Sequence, residues 1–210
     1  MFKNQNIGLW VAVEGIDNVG KTTLARAIKK ELGESGFLIR LEPEFGDLEF
    51  GQIIQSLVYT NWGCVPADAQ PFVIAADRAH RYLDAAEFSK IGGIVVFDRH
   101  LMSSAVYQGV ASKRSSNEMW EYLKRLYGGS FITPDLTFIL DASIETVVKR
   151  GGDDVQSIEF LTEAKERFLH ESKADSVVLI DAEQPKAAVV DLVVNLLREK
   201  LKNSNNLVDR

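Results

Sequence analysis

The chain has little of several residue types, and each scarcity limits what it can do. Cys64 is the only cysteine among 210 residues, so neither an intrachain disulfide nor a cysteine-ligated zinc cluster can form. Lysine and arginine number 24 against 30 acidic residues, for a formal net charge of −6, which argues against nucleic-acid binding by bulk electrostatics. Any polyanionic partner must therefore be bound by a local group of positive charges.

Long apolar runs are also absent. None approaches the roughly 20 residues that a membrane-spanning helix needs, and the stretch 1–6 lacks the apolar core of a signal peptide. We therefore expect a cytoplasmic protein without a membrane partner, in which Cys64 is a buried or idle thiol.

The residues that are present are typical of a soluble globular enzyme. Apolar residues make up 46% of the chain and charged residues 26%, and the length suits one sizeable core. We expect one domain over residues 1–202 and a C-terminal tail over 203–210. Short apolar runs alternate with helical patterns, which predicts an α/β fold with a five-stranded parallel sheet and helices on both faces. The predicted strands are 7–13, 36–41, 92–98, 134–141 and 176–181.

The stretch "EGIDNVGKTT", residues 14–23, matches the phosphate-loop pattern G-x-x-x-x-G-K-[ST] between a predicted strand and a predicted helix. Its glycines let successive backbone N–H groups point at phosphates, and the helix start adds partial positive charge. Lys21 is expected to bridge the β- and γ-phosphates, and Thr22 to place its hydroxyl on Mg²⁺. The competing interpretation, a glycine-rich turn with a solvated lysine, is weak because motif and context agree. The predicted nucleotide-binding residues of this loop are Gly15, Asn18, Val19, Gly20, Lys21, Thr22 and Thr23.

A phosphate loop by itself leaves a switch GTPase, an ATPase motor and a small-molecule kinase open. A guanine-specific protein needs N-K-x-D after a strand, and the nearest match, "SKAD" at 172–175, lies at a helix end. We therefore treat "SKAD" as a coincidence.

A second group of polar residues follows the predicted strand 92–98. Asp98 and Arg99 end that strand at the ligand-binding edge, where Asp98 could hold Mg²⁺ through water and Arg99 could grip a phosphate bidentately. The alternative is a simple ion pair between the two. Tyr107 and Gln108 follow on a predicted helix and offer ring and amide contacts. The charges of "AADRAHR", residues 75–81, taken alone favour a solvated helix surface.

With these blocks in place, the chain resembles the thymidylate kinase family of nucleoside monophosphate kinases. The matching segments occur in family order and together cover residues 7–200. They are "EGIDNVGKTT", "LEPEF", "AADRAH", "DRHLMSSAVYQG", "PDLTFILD", "VVKR" and "LIDA". The resemblance implies a three-layer P-loop fold with a short lid at about 150–158, a homodimer, and the Mg²⁺-dependent reaction of ATP with dTMP to give ADP and dTDP.

The resemblance also implies roles for single residues. Lys21, Arg99 and Asp17 would be catalytic, with Asp17 near the acceptor's sugar 3′-hydroxyl or phosphate. Tyr107 would exclude a 2′-hydroxyl, and Arg150 would lie on the donor's adenine. The implied acceptor-binding residues are Asp17, Ile74, Arg78, Arg99, Ser103, Ser104, Tyr107 and Gln108, with Arg78 on the pyrimidine. The acceptor is itself a phosphate with a second pKa near 6, so it needs no strong general base.

Three departures from the family pattern bear on the acceptor. The stretch from Leu41 to Phe45 has no arginine at the two places where family members carry one, and Arg40 stands one residue early, which on a strand reverses its face. Ile74 occupies the position of a base-stacking phenylalanine, while Phe72 should point elsewhere.

The third departure is a missing catalytic arginine. Family members carry it in the phosphate loop or in the lid, but the loop here has Asn18 and Val19, and the lid "GGDDVQS" has two aspartates. Arg114 is a basic candidate outside the lid. Two alternatives stay open: a kinase of a different or modified pyrimidine nucleotide, and a nucleotide-binding module with weak or lost catalysis.

Overall fold

A single parallel sheet organises the protein. The computed structural model describes residues 8–151 and 156–205, and in this part of the chain five strands pair in the order β2-β3-β1-β4-β5, every pair parallel. The strands are β1 (Leu9–Glu14), β2 (Ile39–Glu42), β3 (Ile94–Asp98), β4 (Leu136–Asp141) and β5 (Val177–Asp181). The predicted α/β fold with a five-stranded parallel sheet is confirmed.

Helices connect the strands and cover both faces of the sheet. They are α1 (Lys21–Glu34), α2 (Glu49–Asn61), α3 (Gln70–Lys90), α4 (Leu101–Ala111), α5 (Ser116–Tyr127), α6 (Ile144–Gly151), α7 (Ile158–Glu171) and α8 (Lys186–Asn205). Pro71 lies in the first turn of α3, where its missing N–H removes no helical hydrogen bond. α8 continues through Asn205, three residues into the segment expected to be a tail, and 206–210 lies outside the described residues.

Side-chain alternation along β1 divides the core into two layers. Val11 and Val13 belong to one apolar cluster with residues of α1 and α8, whereas Trp10 belongs to a second cluster with residues of α3 and α5. Successive side chains of a strand point to opposite faces, so each cluster fills one side of the sheet. This arrangement is the predicted three-layer fold.

The carboxyl ends of the strands form the edge at which ligands bind in such folds. All five strands end in an acidic residue, namely Glu14, Glu42, Asp98, Asp141 and Asp181. Since β1 lies between β3 and β4, the loop after β1 lies next to the residues that follow β3. No helix among residues 8–151 and 156–205 is both long and apolar enough to cross a membrane.

Candidate active site

The loop between β1 and α1 has the backbone shape of a phosphate cradle. Gly15 and Gly20 have φ angles of +131° and +114°, a region that side chains rarely enter. A Cβ on Gly15 would also lie 2.6 Å from the carbonyl oxygen of Leu140. Asn18 has a φ of 60°, so its N–H also turns with the loop. The glycines of the motif are thus required by the fold.

Lys21 is buried at the start of α1 and points back into the loop. Its Nζ donates to the Ile16 carbonyl oxygen at 2.7 Å. Burial, together with the neighbouring Arg99 cation, lowers the pKa of Lys21 to about 8, against the opposing effect of Asp17 and two other carboxylates. The Lys21 ammonium therefore loses its proton at a lower pH than a solvated lysine does, as long as no anion is bound beside it.

The side chains of Thr22 and Asp98 offer oxygen ligands beside the loop. In the pairing of β1 with β3, Asp98 lies opposite Val13, two residues before Gly15 of the loop. Thr22 lies exposed in the first turn of α1. The Oδ1 atom of Asp98 is buried and has no hydrogen-bond partner among the described residues. Hydroxyl and carboxylate oxygens are what Mg²⁺ prefers, so these two residues fit a magnesium ion. The described residues contain no cluster of three His, Cys, Asp or Glu side chains suited to a metal, so phosphate oxygens would have to complete its coordination.

A cavity of about 370 Å³ lies on one side of the loop. Arg150 at the end of α6 forms part of its wall, with Nη1 donating to the Val19 carbonyl oxygen at 3.3 Å and Nη2 to that of Ala182 at 3.0 Å. The lining residues are Asn18, Val19, Gly20, Thr23, Leu24, Leu140, Arg150, Ala182, Gln184, Lys186, Val189 and Val190. Arg150 thus fixes one wall of this cavity to the loop and to the end of β5.

A second cavity, of about 750 Å³, lies on the other side of the loop and shares Asn18 with the first. It contains seven of the eight predicted acceptor-binding residues: Asp17, Ile74, Arg78, Arg99, Ser103, Tyr107 and Gln108. Ser104, the eighth, accepts a hydrogen bond from Arg78 Nη1 at 2.6 Å and so holds the guanidinium that faces the cavity. The fold brings the whole predicted acceptor set together.

Arg99 joins the second cavity to the phosphate loop. Its φ of 70° is unusual for a residue with a side chain and marks strain of a kind that clusters at functional sites. Nη1 donates to the Gly15 carbonyl oxygen at 3.2 Å and to Ser103 Oγ at 3.1 Å. Its ion-pair partners are Asp17 and Glu44, so the alternative of a strand-end pair with Asp98 is wrong.

Asp17 is held between the loop and α4. Its backbone N–H donates to the Tyr107 hydroxyl at 2.8 Å, and its carboxylate accepts from Arg99 Nη2. Burial alone would raise the pKa of Asp17, but Arg99, Lys21 and the Tyr107 hydroxyl outweigh it and lower that pKa. An acid inside an anion-binding loop is thus stabilised by two cations.

The charges of α3 are buried, so the interpretation of "AADRAHR" as a solvated surface is wrong. Asp77, Arg78 and Arg81 are each less than a tenth exposed, because this face of α3 packs on the β2–α2 loop and on α4. Arg81 donates to the carbonyl oxygens of Pro43 and Glu44 at 2.7 and 3.0 Å, and pairs with Asp77. Arg81 therefore fixes the loop that borders the second cavity.

Sequence reasoning missed several residues of the site. Glu14 is fully buried, and its carboxylate accepts hydrogen bonds from the His100 and Ser103 N–H groups and the Ser103 hydroxyl, tying the end of β1 to the start of α4. The position of Glu14 directly before the loop was a usable signal. Other lining residues that were missed come from the β2–α2 loop, from α2 and the turn after it, and from the segment before α7: Glu44, Phe45, Val58, Tyr59, Trp62 and Gln156.

The departures from the family pattern have clear places in the structure. Arg40 pairs with Glu42 on its own strand and does not line the second cavity, as its register predicted. Phe72 is exposed and meets the edge of Tyr122, so it points elsewhere, as expected.

Arg114 is not at the site. It pairs with Asp68 at 2.7 Å, lies over the Tyr122 ring and lines neither cavity, so the prediction that it could replace the missing arginine is wrong. Residues 152–155, which belong to the predicted lid, lie outside the described part of the chain.

Comparison with known proteins agrees with this geometry. The sequence profile of the family described as Thymidylate kinase matches residues 13–193. A protein of Methanosarcina mazei named "Probable thymidylate kinase" is 30% identical over 202 residues, covering 91% of this chain and 96% of its own. One from Archaeoglobus fulgidus with the same name is 31% identical over 209 residues, covering 93% and 99%. A "Thymidylate kinase" of Leifsonia xyli is 30% identical over 185 residues, covering 88% and 87%. The chain therefore belongs to the thymidylate kinase family.

Proposed function

We propose that the protein transfers the γ-phosphoryl group of ATP to dTMP, giving dTDP and ADP. The observation that carries this proposal is the pair of cavities on opposite sides of one phosphate loop, which share Asn18 and have Arg99 between the loop and the larger cavity. Such a layout suits two nucleotides whose phosphates meet at the loop. Membership of the thymidylate kinase family supports the choice of reaction.

On the donor side, the loop binds the phosphates of ATP and the smaller cavity its base. Lys21 bridges the β- and γ-phosphates, and Arg150 lies against the adenine. The residues proposed to contact ATP are Gly15, Asn18, Val19, Gly20, Lys21, Thr22, Thr23 and Arg150. Thr22 and Asp98 are proposed to hold Mg²⁺, which when bound neutralises phosphate charge.

On the acceptor side, Arg99 contacts the phosphate of dTMP, and Asp17 lies by its sugar. Arg78 faces the pyrimidine, beside Ile74, and the Tyr107 ring occupies the space of a 2′-hydroxyl. Ser103 and Gln108 hold the acceptor from α4, and Ser104 contributes through its hydrogen bond with Arg78. Arg78 is buried and lines the cavity, and its guanidinium is the group proposed to donate to a base carbonyl.

Catalysis in this site consists of alignment and charge neutralisation. The acceptor phosphate is a dianion at neutral pH because its second pKa is near 6, so it attacks without giving up a proton. Lys21 and Arg99 balance the charge of two phosphate groups that otherwise repel each other. Burial by itself would lower the pKa of Arg99, but Glu44, Asp17 and its other neighbours outweigh burial and keep that pKa well above its usual range, so this cation stays charged throughout.

A second candidate acceptor is a different or modified pyrimidine nucleotide. Ile74 gives up the stacking energy of an aromatic side chain, while Phe45, Tyr59 and Trp62 add aromatic surface elsewhere in the cavity. A base that stacks on this other wall would be preferred over thymine.

Further proposals concern the whole chain. We infer that residues 1–202 act as one kinase domain, since strands from both ends of the chain share one sheet. A homodimer is supported by exposed apolar side chains on α2 and α3, namely Phe50, Ile53, Phe72 and Leu83. A cytoplasmic location fits an enzyme that consumes ATP.

A coupled assay of ADP release with dTMP, dUMP, dCMP, dAMP and dGMP tests the proposed function. We expect fastest turnover with dTMP, and none with any acceptor for the folded Lys21→Ala variant. Preference for another base would favour the second candidate. ATP binding without turnover on any acceptor would refute the kinase proposal.

A further inference from the structure

The guanidinium of Arg99 is surrounded by partners before any acceptor arrives. Its Nη1 atom donates hydrogen bonds to the Gly15 carbonyl oxygen and to Ser103 Oγ. Its Nη2 donates to Asp17, and its Nε lies 2.9 Å from Glu44 Oε1. The Nε–Nη2 edge, which could hold a phosphate bidentately, is thus divided between two carboxylates. A phosphate can take that edge only if one carboxylate leaves.

Glu44 and Asp17 hold Arg99 in different ways, and Glu44 makes the larger Coulombic contribution of the two. Asp17 makes a hydrogen bond to Nη2, whereas the Nε–H makes no well-aligned hydrogen bond to any described residue despite its short distance to Glu44. The Glu44 contact is therefore mainly Coulombic. A phosphate oxygen placed in line with the Nε–H would bind this edge better.

Glu44 is also free to move without a change in the backbone. Its side chain is 36% exposed, against 4% for Arg99, and it lies in the loop between β2 and α2. The carbonyl oxygens of Pro43 and Glu44 are fixed by Arg81. A rotation of the Glu44 side chain into solvent therefore uncovers the arginine while the loop stays in place.

Among the described residues that line the cavity, no cation other than Arg99 is available to bind the acceptor's phosphate. Arg78 and Arg99 are the two cations among the described lining residues, and Arg78 is engaged with Ser104. The acceptor's phosphate therefore depends on Arg99, and Glu44 competes for the same atoms.

We propose that Glu44 tunes the affinity of the cavity for its acceptor: its carboxylate occupies the phosphate position on Arg99 in the empty cavity and must be displaced by the phosphate of the acceptor. The Glu44 carboxylate balances the positive charge of the buried Arg99 guanidinium when no acceptor is bound. Its competition for that guanidinium sets how tightly a phosphate monoester binds. This inference rests on the proposed function for the identity of the acceptor cavity. The ligand class is a nucleoside 5′-monophosphate, since an uncharged nucleoside has no group to exchange for the carboxylate.

Binding of dTMP, of the five-nucleotide panel and of thymidine to the wild-type protein and to Glu44→Gln tests the proposal by calorimetry. Glu44→Gln removes the charge at nearly constant shape. We expect it to tighten dTMP binding about fivefold to tenfold, in line with the loss of one competing ion pair, and to leave thymidine binding unchanged. Glu49→Gln, which removes a charge at the exposed start of α2 away from the cavity lining, is the matched control and should change neither. Glu44→Ala should act like Glu44→Gln, and thermal unfolding confirms that each variant is folded.

The outcomes separate this inference from the proposed function. If the wild-type protein phosphorylates dTMP but Glu44→Gln binds it no more tightly, the inference is wrong and the function stands. If another nucleotide of the panel is the true acceptor, tighter binding of that nucleotide by Glu44→Gln supports the inference although dTMP was the wrong choice. Equal tightening of thymidine, or no tightening of any monophosphate, overturns the inference.

Discussion

At the scale of single residues, the site depends on buried charges that are balanced by each other. Lys21, Arg99 and Asp17 lie within one electrostatic network, and each has a pKa displaced by burial and by its neighbours. Groups of this kind change their charge state or their partners when a ligand adds charge. The consequences can be measured through pH and through substitutions.

Lys21 gives the first prediction, the pH dependence of ATP capture. With a pKa of about 8 in the empty site, it is protonated below pH 8 and loses its charge above it, so kcat/KM for ATP should fall as pH rises past about 8. Bound phosphates favour the charged form of Lys21, so kcat at saturating substrates should stay constant to a higher pH than kcat/KM does. Steady-state kinetics between pH 7 and 10, where the phosphate group of dTMP stays dianionic, check this. A kcat/KM that stays level to pH 10 would contradict it.

Tyr107 gives the second prediction, on sugar selectivity. Its ring lies 5.0 Å from the Arg99 guanidinium carbon and packs near Phe160 and Phe168. Tyr107→Ala should open space and reduce the preference for dTMP over its ribonucleotide about tenfold or more, whereas Tyr107→Phe keeps the ring and should keep most of the preference. The ratio of kcat/KM for dTMP to kcat/KM for its ribonucleotide measures this preference. An unchanged ratio in Tyr107→Ala would remove Tyr107 from this role.

Residues with a local signal could be predicted from the sequence, and those placed by the fold could not. Gly15, Lys21 and Thr22 follow from spacing alone, because the turn, the cation and the hydroxyl lie within eight residues. Glu44 and Tyr59 reach the site from the β2–α2 loop and α2, and no short pattern marks them. Their side-chain directions depend on how α2 packs, which periodicity does not determine.

At the scale of elements, the strand ends create the site and local caps define the helices. The predicted strands and helices were found because apolar runs and helical periodicity alternate along the chain. Boundaries were less exact: β2 begins at Ile39 and not at Gly36, since Phe37 and Leu38 are exposed and have no burial to favour a strand. α8 continues to Asn205, several residues beyond its last apolar residue, because helix propagation adds one hydrogen bond per residue.

The start of α5 gives the third prediction, which concerns stability alone. Ser115 and Glu118 form a reciprocal capping box. Ser115→Ala should lower the free energy of unfolding by about 1 kcal/mol without changing kcat/KM, because α5 lines neither cavity. Urea unfolding measures the loss, and Ser116→Ala, one residue inside the helix, is the control that should be neutral. A loss of equal size in both variants would contradict a role for the cap.

At the scale of the whole molecule, exposed apolar side chains on α2 and α3 indicate a surface for self-association. Phe72 and Leu83 are each more than half exposed although large apolar side chains gain free energy by burial. We predict a particle of two chains in sedimentation velocity at micromolar concentration. A monomer at that concentration would contradict the proposed homodimer.

The central claim is that the larger cavity selects dTMP as the acceptor for the phosphoryl group of ATP. The most direct measurement is a competition in one vessel: the protein, Mg²⁺, γ-labelled ATP and equal concentrations of dTMP, dUMP, dCMP, dAMP and dGMP, with the labelled diphosphates separated over time. We predict that labelled dTDP appears first and dominates, and that folded Lys21→Ala yields none. Label in another diphosphate before dTDP, or label in none of them, would contradict it.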